Sequence, residues 1–164
     1  MDKPMGYLAI LVGIPGSGKS TLSDTFRENG WTIMSSDAIR AEVNGDESIQ
    51  LNSAQVFDIL YGRARVALLY DENVVIDSCA CQAWARKKAI DECGELASRI
   101  FAVVCDCPIE KALWRISCRE RKVPENVVRK MYRAFVMYPP TTSEGFDAIL
   151  SSDMALDLLN EGYL

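Results

Sequence analysis

At 164 residues, 49% hydrophobic and 25% charged, the chain has the length and balance of one globular domain, expected to span residues 1–164, and its composition excludes collagen, coiled coil and disorder. It contains no histidine, which removes the Ser-His-Asp and Cys-His nucleophile arrangements, every imidazole metal site and the commonest general base. Proton abstraction must then fall to Asp, Glu, Lys or Tyr, and a net charge of −5 disfavours nucleic-acid binding by bulk charge.

The first apolar run, Tyr7 to Val12, reads as a strand. It is far shorter than the ~20 residues of a membrane helix and leads into Gly13 and Pro15 instead of a cleavage site. Neither a membrane span nor a signal peptide is expected, and the protein is read as cytoplasmic. Directly after this run stands Gly13-Ile14-Pro15-Gly16-Ser17-Gly18-Lys19-Ser20, a full phosphate-binding loop, followed by a helix-forming stretch from Thr21 to Glu28. The glycines let successive backbone N–H groups turn towards phosphate oxygens. Lys19 is placed to reach the β- and γ-phosphates of ATP, the Ser20 hydroxyl to ligate Mg²⁺, and Thr21 completes the nucleotide-binding segment. An ordinary glycine-rich turn has no need of the whole pattern.

Further apolar runs at Trp31 to Met34, Val74 to Ile76, Ile100 to Cys105 and Phe146 to Leu150 alternate with helix-compatible stretches. This argues for an α/β fold with a mostly parallel five-stranded sheet flanked by helices. Asp37 lies just past the second run, at the strand end where ligands of open α/β sheets collect, and Arg40 follows three residues later on the same side of a helix. The spacing equally suits Asp37 as the N-cap of that helix. A helix capped by Asn52 or Ser53 should carry Ala54, Phe57, Tyr61, Ala64 and Leu68 on one face. Asp77 closes the third run. Ile109, Ala112, Leu113 and Ile116 form an apolar stripe, with Arg115 and Arg119 projecting from another face of the same helix, and Pro124 should open a helix bearing Val127, Val128, Met131 and Phe135. Between Lys111 and Arg133 eight basic residues stand against two acidic ones, while Lys and Arg are absent from Ala134 onwards.

A phosphate loop names a nucleotide site and not a reaction. No Asn-Lys-x-Asp guanine reader is present, and Asp91-Glu92-Cys93-Gly94 matches a switch motif only in spacing. Asp77 is followed by Ser78 and not by the Glu that mechanical ATPases place there. A kinase fits best. It needs a base for an acceptor hydroxyl and cations around the transferring phosphoryl group, which Asp37, Arg40 and the basic segment can supply.

On these residues the sequence resembles the polynucleotide 5′-kinase group of P-loop phosphotransferases and the small predicted kinases that share its core, over Tyr7 to about Leu150. Besides the phosphate loop, Ser35-Ser36-Asp37-Ala38-Ile39-Arg40 resembles the acceptor segment, and Val75-Ile76-Asp77-Ser78 the third-strand segment. Arg115 to Glu125 resembles the lid, here placed at about 115–124. Tyr138-Pro139-Pro140-Thr141 with Glu144-Gly145-Phe146-Asp147 resembles a closing segment near the adenine pocket. The resemblance implies a P-loop kinase fold with a small lid, ATP and Mg²⁺ as cofactors, Asp37 as general base and Arg40 on the acceptor-side phosphate. It further implies Asp77 beside Ser20 at the metal, Arg119 over the β/γ-phosphates, Arg115 framing the adenine, and a polynucleotide 5′-hydroxyl as acceptor. Two departures weaken the polynucleotide assignment: Ser36 replaces an Arg of the phage-type enzymes, and Cys79-Ala80-Cys81 follows Ser78 where a Thr-Asn pair is common. A kinase of a nucleoside, sugar or antibiotic-like hydroxyl, and a nucleotide-dependent binding switch, are the alternatives.

Cys79/Cys81 and Cys105/Cys107 are spaced wrongly for a Cys-x-x-Cys zinc ribbon, so buried thiols beside a cleft are expected. Nothing local separates core from surface roles for Trp31, Trp84 and Trp114.

Overall fold

The computed structural model describes residues 6–164. Its strands are β1 (Tyr7–Val12), β2 (Thr32–Ser35), β3 (Val74–Asp77), β4 (Arg99–Val104) and β5 (Ala148–Ser151). They pair in parallel throughout, in the order β2-β3-β1-β4-β5. The helices are α1 (Lys19–Glu28), α2 (Ser36–Asn44), α3 (Ser53–Leu69), α4 (Ala83–Cys93), α5 (Ile109–Ser117), α6 (Glu125–Met137) and α7 (Ser152–Asn160). β1 lies in the middle of the sheet with helices over both faces, which is why Leu8 to Val12 form an unbroken apolar run, all buried.

Alternation along β1 sends side chains into two cores. Leu8, Ile10 and Val12 pack with Leu60, Ala64, Leu68, Ala89 and Cys93 beneath α3 and α4. Ala9 and Leu11 pack with Leu22, Phe26, Trp31, Ala155 and Leu159 beneath α1 and α7. A third cluster, Ile14, Cys81, Cys107, Ala112, Ile116 and Val128, seats α5 and α6 against the phosphate loop. Trp31 is thus a core residue, whereas Trp84 and Trp114 are exposed.

Several local expectations shift. The buried face of α3 is Val56, Leu60, Tyr61, Ala64, Ala67 and Leu68; Ala54 is exposed and Phe57 only partly covered. Asn52 holds the N-cap position with φ 57° but makes no side-chain cap bond, its amide donating instead to Asn44 Oδ1 at 3.3 Å. Pro124 is the N-cap of α6 and not its first residue, a difference of one position that still uses its missing N–H where no helical partner exists. Among the described residues no helix is long and apolar enough to cross a membrane.

Arg86, on α4, is 1% exposed, with a partner for each of its three guanidinium nitrogens. It donates to Glu144 Oε1 (2.8 Å), to the carbonyls of Ala80 (3.0 Å) and Cys81 (3.2 Å), and to the Tyr138 carbonyl (2.7 Å). One guanidinium therefore joins the loop after β3, the end of α6 and the Thr142–Glu144 turn. Arg86→Ala would strand the carboxylate and three carbonyls, and is expected to lower unfolding free energy by about 3–5 kcal/mol. Urea denaturation checks this; a loss under about 1 kcal/mol would mean that water replaces the guanidinium.

Candidate active site

The phosphate loop leaves the C-terminal end of β1, between β3 and β4. There the chain's crossovers diverge, and open sheets bind ligands at such points. Gly13 N–H donates to the Cys79 carbonyl at 3.1 Å, and a Cβ on Gly13 would stand 2.8 Å from the Cys105 carbonyl oxygen. Gly16 has φ 81°, and a Cβ there would meet the Ala112 carbonyl oxygen at 2.5 Å. Both glycines are therefore required by close backbone approach from the neighbouring strand end and from α5. α1 begins at Lys19, two residues before the expected start, with Gly18 as its left-handed N-cap. Residues 13–18 thus wrap the N-terminus of α1, where free N–H groups favour an anion. Lys19 Nζ donates to the Ile14 carbonyl at 3.0 Å.

Two cavities open on this loop. The larger, about 780 Å³, brings Lys19, Ser20, Asp37, Arg40, Asp77 and Arg121 into one space. The smaller, about 420 Å³, is bounded by Gly16, Thr21, Arg115, Ser152 and Leu156. Arg119 borders both. The expected closing segment does not line the smaller cavity. The Tyr138 carbonyl and the Glu144 carboxylate bond Arg86, with the Tyr138 ring exposed, and α7 contributes Ser152 and Leu156 to the cavity wall. Arg115 donates to the Gly16 carbonyl at 3.1 Å, tying α5 to the phosphate loop. Arg119 does not project from α5, which stops at Ser117; it stands in the following turn and is exposed.

Asp37 is not the cap of α2. That role belongs to Ser35, whose Oγ accepts from Ala38 N–H at 3.2 Å, which frees Asp37 in the first turn to face the cavity. Its Oδ1 accepts from Arg40 Nη1 at 3.1 Å and its Oδ2 from Arg121 Nη1 at 2.8 Å. Arg40 lines the cavity but is largely buried, and its Nε is enclosed without a hydrogen-bond partner. Arg121 also pairs with Glu47 Oε1 at 3.5 Å. Burial works against its charge, but Asp37 and then Glu47 outweigh this and raise its pKa. Ser36 is buried, its hydroxyl directed at the Asp77 carbonyl at 3.5 Å.

Asp77 ends β3, its Oδ2 accepting from Ser23 Oγ at 2.8 Å. Burial pushes its carboxyl above the ordinary range, against the Ser23 hydrogen bond and the charge of Lys19. A partly buried carboxylate on the cavity wall, with the Ser20 hydroxyl in the same cavity, offers the hard oxygen donors Mg²⁺ prefers. The four paired cysteines are free thiols around the loop. Burial raises the Cys81 thiol to about 12 and the Cys105 thiol to about 11, so both remain protonated.

Residues 8–138 match the family model described as an AAA domain. The chain belongs to this family. A UPF0200 protein of Methanothrix thermoacetophila is 29% identical over 127 residues, 70% of this chain and 67% of the relative. A chain of the Pnkp1/Rnl/Hen1 RNA repair complex superposes with a TM-score of 0.75 at 24% identity, covering 90% of this chain and 48% of its own. This chain therefore spans about half of that one. A gluconokinase from Sinorhizobium meliloti 1021 superposes with a TM-score of 0.60 at 16% identity, over 99% of this chain and 98% of the other. The fold of this AAA-domain chain is that of the P-loop kinases, in agreement with the resemblance of its motifs.

Proposed function

We propose that this chain is an ATP-dependent phosphotransferase acting within one domain, with a hydroxyl acceptor activated by Asp37. The observation that carries this reading is the single 780 Å³ cavity in which the phosphate-loop residues Lys19 and Ser20 meet a carboxylate gripped by arginines. Phosphoryl transfer needs these parts in one space: charge on the β/γ-phosphates, a base at the acceptor, and cations around the moving group. Residues 13–21 bind the triphosphate, and Arg115 borders the nucleoside side. Ser20 and Asp77 would hold Mg²⁺, which supplies charge neutralisation to the phosphates when bound. Asp37 takes the acceptor proton.

Arg119, exposed between the two cavities, covers the β/γ-phosphates from the lid. Arg119→Ala is expected to lower kcat more than it raises the KM for ATP, because the charge it meets is greatest in the transition state. Arg119→Lys should restore only part of the loss, since an ammonium lacks the planar fork. Steady-state kinetics in ATP check both, and a fully active Arg119→Ala enzyme would make it a solvated surface residue.

We further propose a 5′-hydroxyl end of a polynucleotide as acceptor. Arg40, which lines the cavity beside Asp37, is suited to a phosphate next to the reacting hydroxyl. The likeness to a chain of an RNA repair complex supports the same choice. Glu47 on the same cavity wall and Ser36 in place of an arginine favour the second reading, a small-molecule hydroxyl, as does the gluconokinase that matches along its whole length. Measuring kcat/KM against oligonucleotide length and salt separates them. A 5′-end kinase with this short cationic site should show a slope of about −0.7 per phosphate neutralised and gain nothing beyond roughly three or four nucleotides. Transfer only to a metabolite hydroxyl would establish the second reading, and nucleotide binding without any transfer would make the chain a switch.

A further inference from the structure

The three arginines of the lid region fall in spatial order. Arg115 is bonded to the phosphate loop and borders only the smaller cavity. Arg119 borders both cavities. Arg121 borders only the larger one and reaches across 84 residues of sequence to Asp37 (2.8 Å), with Glu47 at 3.5 Å on its other side. The side chain of Arg121 is only 29% exposed although it lies in the short connection between α5 and α6. It is the docked end of the lid.

A carboxylate presents two oxygens with about four lone-pair positions. In Asp37 one oxygen is taken by Arg40, from the next turn of its own helix, and the other by Arg121, from the lid. Two grips on opposite oxygens set the carboxylate plane and leave lone pairs for an acceptor hydroxyl. With Arg121 gone the group is held at one oxygen and can turn about its last torsion. We infer that Arg121 is a positioning residue of the acceptor side: it aligns Asp37 only while the lid lies over the cavity, coupling lid closure to base alignment. The inference rests on the kinase reading above and adds to it a residue whose service is to the acceptor and not to ATP. The coupling has a chemical benefit. When the lid is open, water reaches the triphosphate but meets a base that is not aligned, so hydrolysis is held down.

The test joins kinetics with amide hydrogen exchange, both on the full chain. Arg121→Ala should lower kcat with the hydroxyl acceptor by about 10- to 100-fold, the cost of a misplaced reacting group. The KM for ATP should stay within about twofold, because uniform nucleotide binding is untouched. In the Asp37→Asn background the same substitution should add less than about threefold, since residues acting as one unit are not additive. Arg121→Lys should fall between, keeping the charge without the planar fork. Exchange of the 118–123 amides should rise about 2- to 5-fold in Arg121→Ala and in Asp37→Asn alike, as expected for one partly exposed ion pair, and no further in the double variant. A raised KM for ATP with intact kcat would put Arg121 beside Arg119 on the nucleotide and overturn the inference. So would multiplicative losses in the double variant, or unchanged exchange in both single variants. If wild-type protein phosphorylates no hydroxyl, the kinase reading itself fails and this inference with it. If the wild type transfers and Arg121→Ala transfers equally well, the inference alone fails.

Discussion

Lys19→Ala is expected to abolish phosphoryl transfer, by about 10³-fold or more, while the protein stays folded. Lys19 opens α1 at the mouth of a complete phosphate loop, and its ammonium contributes charge where the β/γ-phosphates would lie. Its loss removes one hydrogen bond, to the Ile14 carbonyl, from an element whose packing is carried by Leu22 and Phe26 in the core. The melting temperature should therefore barely move, and ATP affinity should fall with turnover. A folded variant with unchanged turnover would remove the nucleotide site from this loop.

Asp37→Asn is expected to lower transfer by ~10²- to 10⁴-fold, the range of a general base, with ATP affinity nearly unchanged. Asn keeps the shape and can still accept from Arg40, but it cannot take a proton at neutral pH. Stability should change little for two reasons. Ser35, not Asp37, caps α2, and although Arg40 is buried, the Asp37 side chain is 46% exposed and Asn still offers Arg40 an acceptor, which keeps the cost at about 1 kcal/mol. Calorimetric ATP binding and a thermal melt on the same variant decide the matter. If ATP affinity, melting temperature and activity fall together, Asp37 is a structural residue.

The parts of the site visible in the sequence are those built from neighbours along the chain. The phosphate loop is a local motif because strand end, turn and helix start must follow one another for backbone N–H groups to converge. Asp37 and Arg40 were legible for the same reason, three residues apart on one helix, although the choice between base and cap stayed open. In the folded chain Ser35, two residues earlier, fills the cap. Arg121 carried no local signal beyond membership of a basic run, and Glu47 and the Arg86–Glu144 pair carried none. Their partners are 84, 74 and 58 residues away. The segment at 138–147, placed near the adenine pocket by resemblance, bonds Arg86 through the Tyr138 carbonyl and the Glu144 carboxylate, while Ser152 and Leu156 of α7 line the smaller cavity.

From the sequence alone, then, came the α/β class, the parallel sheet and the nucleotide loop, because apolar runs, helical stripes and glycine spacing report interactions that repeat over two to four residues. Tertiary structure decided which arginine of residues 115–121 borders which cavity, how Asp37 is held and what lines each wall. Those outcomes depend on where the C-terminal ends of β1, β3 and β4 bring distant loops together, and on which charges meet there, as Arg121 meets Asp37.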